Sequence, residues 1–301
     1  MLAGVLNINK PLDWTSFKVV DFVRKKLGLR KVGHAGTLDP LATGVLLVLL
    51  NRATRISEYL MELSKTYRAE IHFGIATSTY DATGVPTYFG DNRSLNEAIL
   101  KAMLEEFTGE IEQVPPLYSA VKVRGKAAYE LARKNEPFEL KPRRVKISRL
   151  ELLDYTDPVA IVEVECGKGT YLRSLAHDLG QRLGCGAHLR ALTRLRVGQF
   201  TIEESETVDD LELRLGNLNS LPLLSMNDAL SHLPAVILSD LAAKIVYHGG
   251  SIKVDSSHVK NLASRPEDDT LSRLIDEKGC LLAIGRFNAV IDVWKPEKVL
   301  I

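Results

Sequence analysis

The spacing of hydrophobic positions changes repeatedly along this chain of 301 residues, and each change predicts a strand or a helix. Continuous or alternating apolar residues predict strands over residues 4–9, 45–50, 66–73, 118–123, 144–152, 159–166 and 189–200. Apolar residues three or four positions apart predict helices near residues 16–27, 54–63, 96–107 and 172–183, with a shorter one at 129–133. Thr, Gly, Asp and Tyr residues predict an exposed loop over 78–92. The mixture indicates an α+β fold.

The ends of two predicted helices depend on residues that commonly cap helices. Thr15 and Ser16 are suited to cap the first helix, and Gly28 is suited to end it. Thr170 is the predicted N-cap of the helix that follows the turn at 167–169. The first helix should bury one apolar stripe, formed by Phe17, Val20, Val23 and Leu27.

Acidic, Asn, Ser and Pro residues concentrate between residues 208 and 233, and the pattern of strands and helices restarts after them. Such a change in composition is typical of a boundary between domains. We therefore predict two domains, 1–230 and 231–301, of which the second is small and β-rich. The elements predicted in the second domain include a helix near 240–247 and strands at 281–286 and 290–293.

Residues 32–44 contain three glycines and one proline without apolar periodicity, which is typical of a shaped loop. Because Pro40 disfavours helical backbone in the residue before it, Asp39 should lie at a fixed corner. The Val and Leu run at 45–50 predicts a strand buried on both faces. A carboxylate held beside such a strand is suited to chemistry. The same spacing also fits a plainer interpretation, in which Asp39 caps a short turn that begins at Pro40.

The net charge of +1 hides an uneven distribution of basic residues. Lys and Arg exceed Asp and Glu by five in residues 10–34, by seven in 119–149 and by five in 168–196. Separated basic blocks in a nearly neutral protein suggest one positive face, which fits either nucleic-acid binding or a soluble surface. The short helix predicted at 129–133 lies in the most basic block, so this region is a candidate arm for gripping phosphates.

Cysteine and histidine spacing gives no sign of a metal site or a disulfide framework. Cys166, Cys185 and Cys280 are odd in number and lack C-x-x-C spacing. The seven histidines show no H-E-x-x-H spacing, so no metal is expected. The first residues lack a basic segment followed by a long apolar run, and the apolar runs are too short to span a bilayer. We expect a soluble cytoplasmic protein without membrane contacts.

Tyr171 and Arg173 lie in the first turn of the helix predicted at 172–183. The N-terminus of a helix carries about half a positive charge, so a cation there is unfavourable unless an anion is held nearby. Arg173 is therefore either a partner for a carboxylate or phosphate, or a surface arginine that extends into solvent.

Six sequence blocks, in order along nearly the whole chain, carry a family resemblance. They are Lys10-Pro11 with Trp14-Thr15-Ser16, Gly33 to Gly44, Lys65-Thr66-Tyr67, Asp81-Ala82-Thr83-Gly84, Gln113 to Lys122, and Gly169 to Leu175. The chain resembles bacterial tRNA pseudouridine synthases of the TruB type, which isomerise the T-loop uridine at tRNA position 55. Asp13 replaces the glycine usual in the first turn of the family, and Asp tolerates positive φ better than most residues.

The resemblance implies a fold and a set of functional residues. The fold is the pseudouridine synthase fold, a mixed, mainly antiparallel sheet flanked by helices, followed by a small PUA-like RNA-binding domain. Asp39 is the implied nucleophile, Arg173 its ion-pair partner and Tyr67 the aromatic that packs against the target base. His34 resembles the histidine that enters the RNA stack as the base leaves. Asp81, Tyr171 and Leu192 line the implied site, and the implied RNA contacts are Lys10, Lys122, Lys126, Arg143 and Arg144.

The implied reaction involves no redox change and no group donor, so no cofactor is expected. Taking the base out of its stack costs a few kcal/mol. Stacking on an aromatic such as Tyr67 returns about 1–3 kcal/mol of that cost. An arginine beside Asp39 would favour the ionised, nucleophilic carboxylate.

We expect a monomer that binds the T-arm of tRNA directly, without a guide RNA or an obligate protein partner. Two other interpretations stay open: a non-catalytic tRNA-binding or folding protein, and a guide-RNA-dependent synthase like the archaeal and eukaryotic relatives. The basic insertion at 122–142 favours independent recognition. A glycoside hydrolase that uses Asp39 has less support, because no second carboxylate has a comparable setting.

Overall fold

Nineteen strands and eight α-helices are defined in the computed structural model, which describes residues 2–134, 136–214, 221–253, 259 and 265–300. The strands are β1 Gly4–Lys10, β2 Val32–His34, β3 Ala42–Leu50, β4 Lys65–Phe73, β5 Ile75–Thr77, β6 Pro86–Phe89, β7 Gly109–Gln113, β8 Lys122–Val123, β9 Lys126–Ala127, β10 Arg143–Thr156, β11 Val159–Cys166, β12 Ala187–Val197, β13 Phe200–Thr201, β14 Glu206–Thr207, β15 Ala235–Ile237, β16 Ile252–Lys253, β17 Leu271–Ile275, β18 Leu281–Asn288 and β19 Val293–Val299. The α-helices are α1 Ser16–Lys26, α2 Ser57–Met61, α3 Glu97–Glu106, α4 Ala128–Arg133, α5 Leu172–Arg182, α6 Val208–Arg214, α7 Met226–Ala229 and α8 Asp240–Tyr247, and a 3₁₀ helix spans Asn51–Ile56.

Ten of the described strands form one mixed sheet with the main order β14-β1-β3-β12-β4-β11-β10-β7. Most neighbours are antiparallel, while β12 with β3 and β1 with β14 are parallel. The short strands β2 and β13 pair with β3 and β12. The sequence-based expectation of a mixed, mainly antiparallel sheet flanked by helices is confirmed.

Strand β3 is the buried centre of this sheet, as the sequence predicted. All six residues from Val45 to Leu50 are inaccessible to solvent. Leu46 and Val48 pack with Val19 and Val23 of α1 on one face of the sheet. The alternate residues Val45, Leu47 and Leu49 face the opposite side of the sheet. They belong to a second cluster, which includes Ile284 and Leu300 from the C-terminal part of the chain.

Helix α5 covers another part of the large sheet. Its apolar residues pack on β4, β11 and β12 and share one cluster with Tyr67 and Leu192. The members from the helix are Leu172, Leu175, Ala176 and Leu179. The helix predicted from apolar residues at this spacing is therefore confirmed, and its buried face fixes the side of the sheet on which the start of α5 lies.

A second sheet of five strands, in the order β15-β17-β18-β19-β16, is built from residues 235–299. Its own core includes Trp294 and Phe287, together with Val246 of α8. The predicted β-rich C-terminal part is confirmed. Part of the predicted linker, residues 215–220, lies outside the described residues, and Leu224 forms paired backbone hydrogen bonds with Val5 of β1.

Local signals at the start of α1 gave correct geometry. Thr15 is the N-cap and accepts a hydrogen bond from the Lys18 backbone N–H, and Gly28 has φ +62° just beyond the helix end. Asp13 has φ +61°, as the comparison with the family glycine suggested. The predicted stripe was wrong in one position: Phe17 is 70% exposed, and Val19 is buried instead. Tertiary packing on β3 selected the buried face.

Five other features of the strand pattern differ from the sequence-based predictions. The segment 118–123 is mostly bends, and only Lys122–Val123 forms a strand, whereas the edge strand β7 was not predicted. Within the predicted loop 78–92, β6 pairs with β5. The predicted strand 290–293 is mainly a turn between β18 and β19, and strand β17 was also missed.

The N-cap predicted for α5 was also wrong. Tyr171 is the N-cap, and the Thr170 hydroxyl instead donates to the Gly167 carbonyl oxygen within the preceding turn.

Among the described residues, no helix combines the length and apolar character needed to cross a membrane.

Candidate active site

The loop between β2 and β3, residues 35–41, holds Asp39 and is tied to its surroundings through its backbone. The Leu38 N–H donates to the Ser16 hydroxyl oxygen (2.8 Å), and that hydroxyl donates to the Leu38 carbonyl oxygen (3.1 Å). The Asp13 N–H donates to the Pro40 carbonyl oxygen (2.9 Å). The short turn expected at Pro40 is present: it is closed by the Ala42 N–H, which donates to the Asp39 carbonyl oxygen (3.0 Å), and it leads into β3. The Asp39 carboxylate itself contacts Arg173. This loop holds its carboxylate at a defined corner.

Arg173 contacts Asp39 and ties three segments together. Its Nε lies 2.9 Å from Asp39 Oδ2, and its Nη1 lies 3.7 Å from Asp81 Oδ2. Its Nη2 donates to the Tyr118 carbonyl oxygen (2.9 Å). The Arg173 side chain is 6% exposed and that of Asp39 is 36% exposed. The guanidinium is therefore buried behind a carboxylate that solvent can reach, which is the arrangement that an accessible nucleophile needs.

The start of α5 places Arg173, and it is capped from another strand. The Tyr171 N–H donates to the Gln113 side-chain oxygen at the end of β7 (2.7 Å). The Ser174 hydroxyl donates to the Val114 carbonyl oxygen (2.7 Å). Two carboxylates lie beside the cation of the first turn, which removes the unfavourable interaction between Arg173 and the helix dipole. Of the two sequence-based interpretations of Arg173, the ion-pair partner is confirmed and the surface arginine is wrong.

Asp81 is a buried carboxylate with a dense set of partners. Its Oδ1 accepts hydrogen bonds from the Thr79 hydroxyl (2.6 Å), the Thr83 hydroxyl (2.6 Å) and the Thr83 backbone N–H (3.0 Å). Its Oδ2 faces Arg173. Because Oδ1 is saturated by its own loop, Asp81 acts on the site through Oδ2 and the shared arginine.

Tyr67 and Leu192 lie side by side in the apolar layer next to the Asp39 loop. Both are almost fully buried, and they share a cluster with Leu38. Burial raises the pKa of the Tyr67 hydroxyl, while the neighbouring Arg194 acts in the opposite direction. The hydroxyl is therefore neutral at physiological pH, and the ring is held as a rigid wall of the site.

Arg194 was missed by the sequence analysis, although it is among the largest fully buried side chains. Its Nε donates to the Val45 carbonyl oxygen (2.6 Å), and its Nη2 donates to the Gly36 carbonyl oxygen (3.1 Å). The only available signal was a charged residue between Leu192 and Val197 in a strand-like run. A Cβ on Gly44 would lie 2.2 Å from the Arg194 carbonyl oxygen, so this approach requires glycine. Arg194 supports the Asp39 loop from beneath.

Lys10 was predicted to contact RNA, and the structure contradicts this because the residue is fully buried. Its ammonium donates to the carbonyl oxygens of Pro11 (2.9 Å), Trp14 (2.5 Å) and Pro40 (3.4 Å). Burial lowers its pKa to about 8, and the nearby Asp39 carboxylate opposes that shift. Lys10 therefore joins the first turn to the Asp39 loop, where an RNA phosphate cannot reach it.

The other basic residues predicted to contact RNA are exposed: Lys122, Lys126, Arg143 and Arg144. The first two belong to the hairpin of β8 and β9, and the last two begin β10. Tyr171 packs against the small cluster of Val121, Ala128 and Leu140 under this hairpin. The basic segment therefore adjoins the residue that precedes α5.

His34 ends β2, five residues before Asp39, and is partly exposed. Burial of part of its ring and the charge of Arg194 lower its pKa. The imidazole is therefore neutral near pH 7, which suits a ring that packs between bases better than one that carries charge.

Opposing effects set the pKa of the Asp39 carboxyl. Burial raises the pKa above its ordinary value, Arg173 opposes that shift, and the Asp81 carboxylate adds to it. In the described part of the chain, no three His, Cys, Asp or Glu side chains come together as a metal-ligand cluster. The chemistry available at the site is that of an oriented carboxylate, a buried guanidinium and an aromatic wall.

Comparison with known proteins shows the family to which the chain belongs. The chain matches the TruB family pseudouridylate synthase N-terminal domain over residues 24–172 and the tRNA pseudouridylate synthase B C-terminal domain over residues 173–220. It is 49% identical over 249 residues to tRNA pseudouridine synthase B of Symbiobacterium thermophilum, covering 82% of each chain. The protein of the same name from Dehalococcoides mccartyi strain 195 is 40% identical over 305 residues, covering 99% of this chain and 96% of that protein.

Solved structures with the same fold include a Cbf5-Nop10-Gar1 complex, with TM-score 0.77 and 30% identity. An H/ACA RNP bound to a substrate RNA containing 2′-deoxyuridine matches with TM-score 0.77 and 28% identity. Each match covers 99% of this chain and 85% of the other. The ten-stranded mixed sheet with its β-rich C-terminal part is thus the pseudouridine synthase fold. The chain belongs to the TruB family of pseudouridylate synthases.

Proposed function

We propose that this protein isomerises uridine to pseudouridine at position 55 in the T-loop of tRNA, with Asp39 as the nucleophile. The observation that carries the proposal is the Asp39 carboxylate itself. It is solvent-accessible, lies 2.9 Å from the Arg173 guanidinium and is fixed on a loop bonded at Leu38 and Pro40. An oriented, ionised carboxylate is what nucleophilic catalysis at a sugar or base carbon requires.

The reaction balances without any other reactant. The bond from C1′ of the ribose to N1 of uracil breaks, the uracil turns, and a bond forms from C1′ to C5. The proton on C5 is lost and N1 gains one, so the product is an isomer of the substrate. This balance supports an activity without a cofactor, and the net equation is the same whether Asp39 attacks the sugar or the base.

The remaining walls of the site would hold the base while it is detached. The Tyr67 ring provides a stacking face, and Leu192 closes the same side of the site. Asp81 holds Arg173 from behind, and Tyr171 joins α5 to the basic segment. His34, which ends β2 just before the Asp39 loop, would enter the gap that the departing base leaves in the RNA stack.

The basic arm, which we define as residues 122–142, would bind the T-arm through Lys122 and Lys126, with Arg143 and Arg144 beside it. We divide the chain into a catalytic domain, 1–230, and a PUA-like RNA-binding domain, 231–301. The ten-stranded sheet lies in the first and the five-stranded sheet in the second. We further propose a cytoplasmic monomer that acts on tRNA alone. The curated relatives named for tRNA are 40–49% identical to this chain, whereas the Cbf5 and H/ACA structures are 28–30% identical.

The deciding experiment compares the wild type with Asp39→Asn on an unmodified tRNA transcript, without added RNA or protein. Pseudouridine in the T-loop and tRNA affinity are both measured. We expect the variant to lose product at least about 1,000-fold while its affinity stays within about twofold, since the amide keeps the shape but not the nucleophile.

The matched control is Asp13→Asn, which neutralises another carboxylate beside the same loop and tolerates the positive φ. It should modify tRNA like the wild type. Product from Asp39→Asn at the wild-type rate would overturn the assignment of the nucleophile. A wild type that binds tRNA yet forms no product would favour the binding protein or the guide-dependent synthase.

A further inference from the structure

The residue before Asp81 adopts an unusual backbone conformation. Tyr80 has φ +64°, in the left-handed region that bulky residues rarely occupy. Its N–H donates to the Thr77 carbonyl oxygen (3.2 Å), and its carbonyl oxygen accepts from the Leu189 N–H (2.9 Å). Such a conformation persists only where the surrounding structure holds it, and such residues concentrate near functional sites.

The Tyr80 side chain is held by a histidine of α5. The rings of Tyr80 and His177 stack nearly parallel, with centroids 3.8 Å apart and planes 11° from each other. His177 follows Arg173 by four residues on the same helix, so both side chains lie on one face, one turn apart. Two consecutive loop residues, Tyr80 and Asp81, thus contact two side chains on one face of α5.

The position of the loop decides how Asp81 acts on Arg173. Thr79 and Thr83 hold Asp81 Oδ1 within the loop itself, so the carboxylate cannot swing freely toward the helix. The distance of 3.7 Å between Asp81 Oδ2 and Arg173 Nη1 therefore follows from where the whole loop lies relative to α5. Two backbone hydrogen bonds hold the loop to β12, from the Leu189 N–H to the Tyr80 carbonyl oxygen and from the Ala82 N–H to the Leu189 carbonyl oxygen, both 2.9 Å. The ring stack is the contact that holds the loop on the side of α5.

We propose that Tyr80 and His177 form a positioning pair: their stack seats Asp81 against Arg173 and thereby fixes the orientation and charge environment of Asp39. The proposal rests on the proposed function, because its readout is pseudouridine formation. Neither ring is a catalytic residue, since both act through Asp81 and Arg173.

The ring faces, rather than a charge, carry this role. Burial lowers the pKa of His177, which leaves the imidazole neutral near pH 7. Its Nδ1 is buried and has no hydrogen-bond partner among the described residues. Burial raises the pKa of the adjacent Asp178 carboxyl to about 6. Burial, together with the Asp178 charge, raises the pKa of the Tyr80 hydroxyl. A phenyl ring at position 177 or 80 should therefore replace the native ring.

The test compares variants that remove the stack with variants that keep it. His177→Ala and Tyr80→Gly remove the stack, and glycine also accepts the positive φ, so backbone strain is not added. His177→Phe and Tyr80→Phe keep two aromatic faces. For the first pair we expect kcat to fall about 10- to 100-fold at saturating tRNA, with unchanged tRNA affinity. The pH at which kcat falls on the acid side should also shift, because the charge environment of Asp39 changes. The phenylalanine variants should restore kcat to within about threefold of the wild type.

The double variant Tyr80→Gly/His177→Ala should lose no more kcat than the worse single variant, because the two residues act as one unit. The matched control is His72→Ala, which opens a stacked pair within the large sheet, His72 of β4 with His188 of β12, centroids 5.1 Å apart. It should leave kcat and the pH dependence of kcat on the acid side unchanged.

Three results would overturn the proposal: wild-type kcat in His177→Ala, additive losses in the double variant, or a loss of kcat that follows thermal stability while the pH dependence of kcat on the acid side stays unchanged. Its failure is separable from failure of the proposed function. If the wild type is active, Asp39→Asn is inactive and His177→Ala is fully active, the positioning pair is disproved and the proposed function stands. A wild type that forms no pseudouridine removes the proposed function.

Discussion

The Asp39 loop and the basic arm lie next to each other but are built in opposite ways. Around Asp39, the carbonyl oxygens of Gly36, Leu38 and Pro40 each accept a hydrogen bond from a side chain of another segment. The basic arm has a hairpin with strands of two residues each and one helix of six residues. The apolar cluster beneath it contains three buried residues, Val121, Ala128 and Leu140.

This difference teaches how the molecule divides chemistry from recognition. A nucleophile must be held within a fraction of an ångström, and buried bonds from distant segments achieve this. A segment with few buried contacts opens at low free-energy cost, so it can adapt to an RNA surface. Changes around the Asp39 loop should therefore act on kcat, whereas changes in the arm should act on tRNA affinity.

After Asp39→Asn, the largest effect is expected from Arg173→Ala. It leaves the Asp39 and Asp81 carboxylates without their shared cation, and removing one partner of a buried ion pair is strongly unfavourable. We expect kcat to fall about 100- to 1,000-fold at saturating tRNA. Arg173→Lys should recover part of the loss, because it keeps the charge but not the forked geometry. Wild-type turnover by the alanine variant would show that the rigid side of the comparison does not control the chemistry.

Arg194→Met tests whether the loop depends on its buried support. The change leaves the Val45 and Gly36 carbonyl oxygens without their donor, at a cost of about 1–3 kcal/mol each. Urea denaturation should show a loss of a few kcal/mol in the free energy of unfolding, together with reduced kcat. Arg196→Met, at an exposed position of the same strand, should change stability by less than about 0.5 kcal/mol. Equal stability of the two variants would contradict the role of Arg194.

The pH dependence tests the electrostatics of Asp39. The carboxylate must be ionised to react and burial raises its pKa, so kcat should rise with pH through a limb above the ordinary value of about 3.9. Folding favours the protonated form of the Asp39 carboxyl. Its contribution to the free energy of unfolding is therefore present at low pH and is lost as pH rises through the raised pKa. Asp39→Asn should therefore be at least as stable as the wild type at pH 7.

That stability difference should disappear below the ordinary carboxyl pKa. Single-turnover rates and thermal midpoints across pH measure both effects. If kcat rises with pH through a pKa at or below the ordinary carboxyl value, the effect of Arg173 on the Asp39 pKa is larger than that of burial. An Asp39→Asn variant less stable than the wild type at neutral pH would lead to the same conclusion.

The smallest effect on chemistry is expected from the arm. Lys122→Ala/Lys126→Ala removes two exposed cations, so the tRNA affinity should weaken severalfold and the slope of log affinity against log salt should fall by about 1.4–1.8. The kcat at saturating tRNA should stay unchanged. Lys101→Ala, an exposed lysine on α3, should leave both quantities as they are. A drop in kcat without a change in tRNA affinity would contradict the assignment of chemistry to the Asp39 loop and of tRNA binding to the basic arm.

Features governed by neighbouring residues were set by the sequence itself. The Thr15 cap and the Gly28 stop of α1, the positive φ of Asp13 and the two-sided burial of Val45 to Leu50 each follow from side chains within a turn or a strand of one another. The motif blocks also identified Asp39, Arg173 and Asp81, which the fold brings within contact distance.

Only the tertiary structure decided what joins residues far apart in the chain. Arg194 donates to carbonyl oxygens about 150 positions earlier, Gln113 caps a helix that starts 58 positions later, and Lys10 is buried under the Asp39 loop. Local propensity carries no information on such partners, because the free energy of burying a charge depends on which acceptors the fold assembles around it. The sequence alone therefore determined most of the long strands and helices and the reactive groups. The packing of the two sheets and α5 determined how those groups are held.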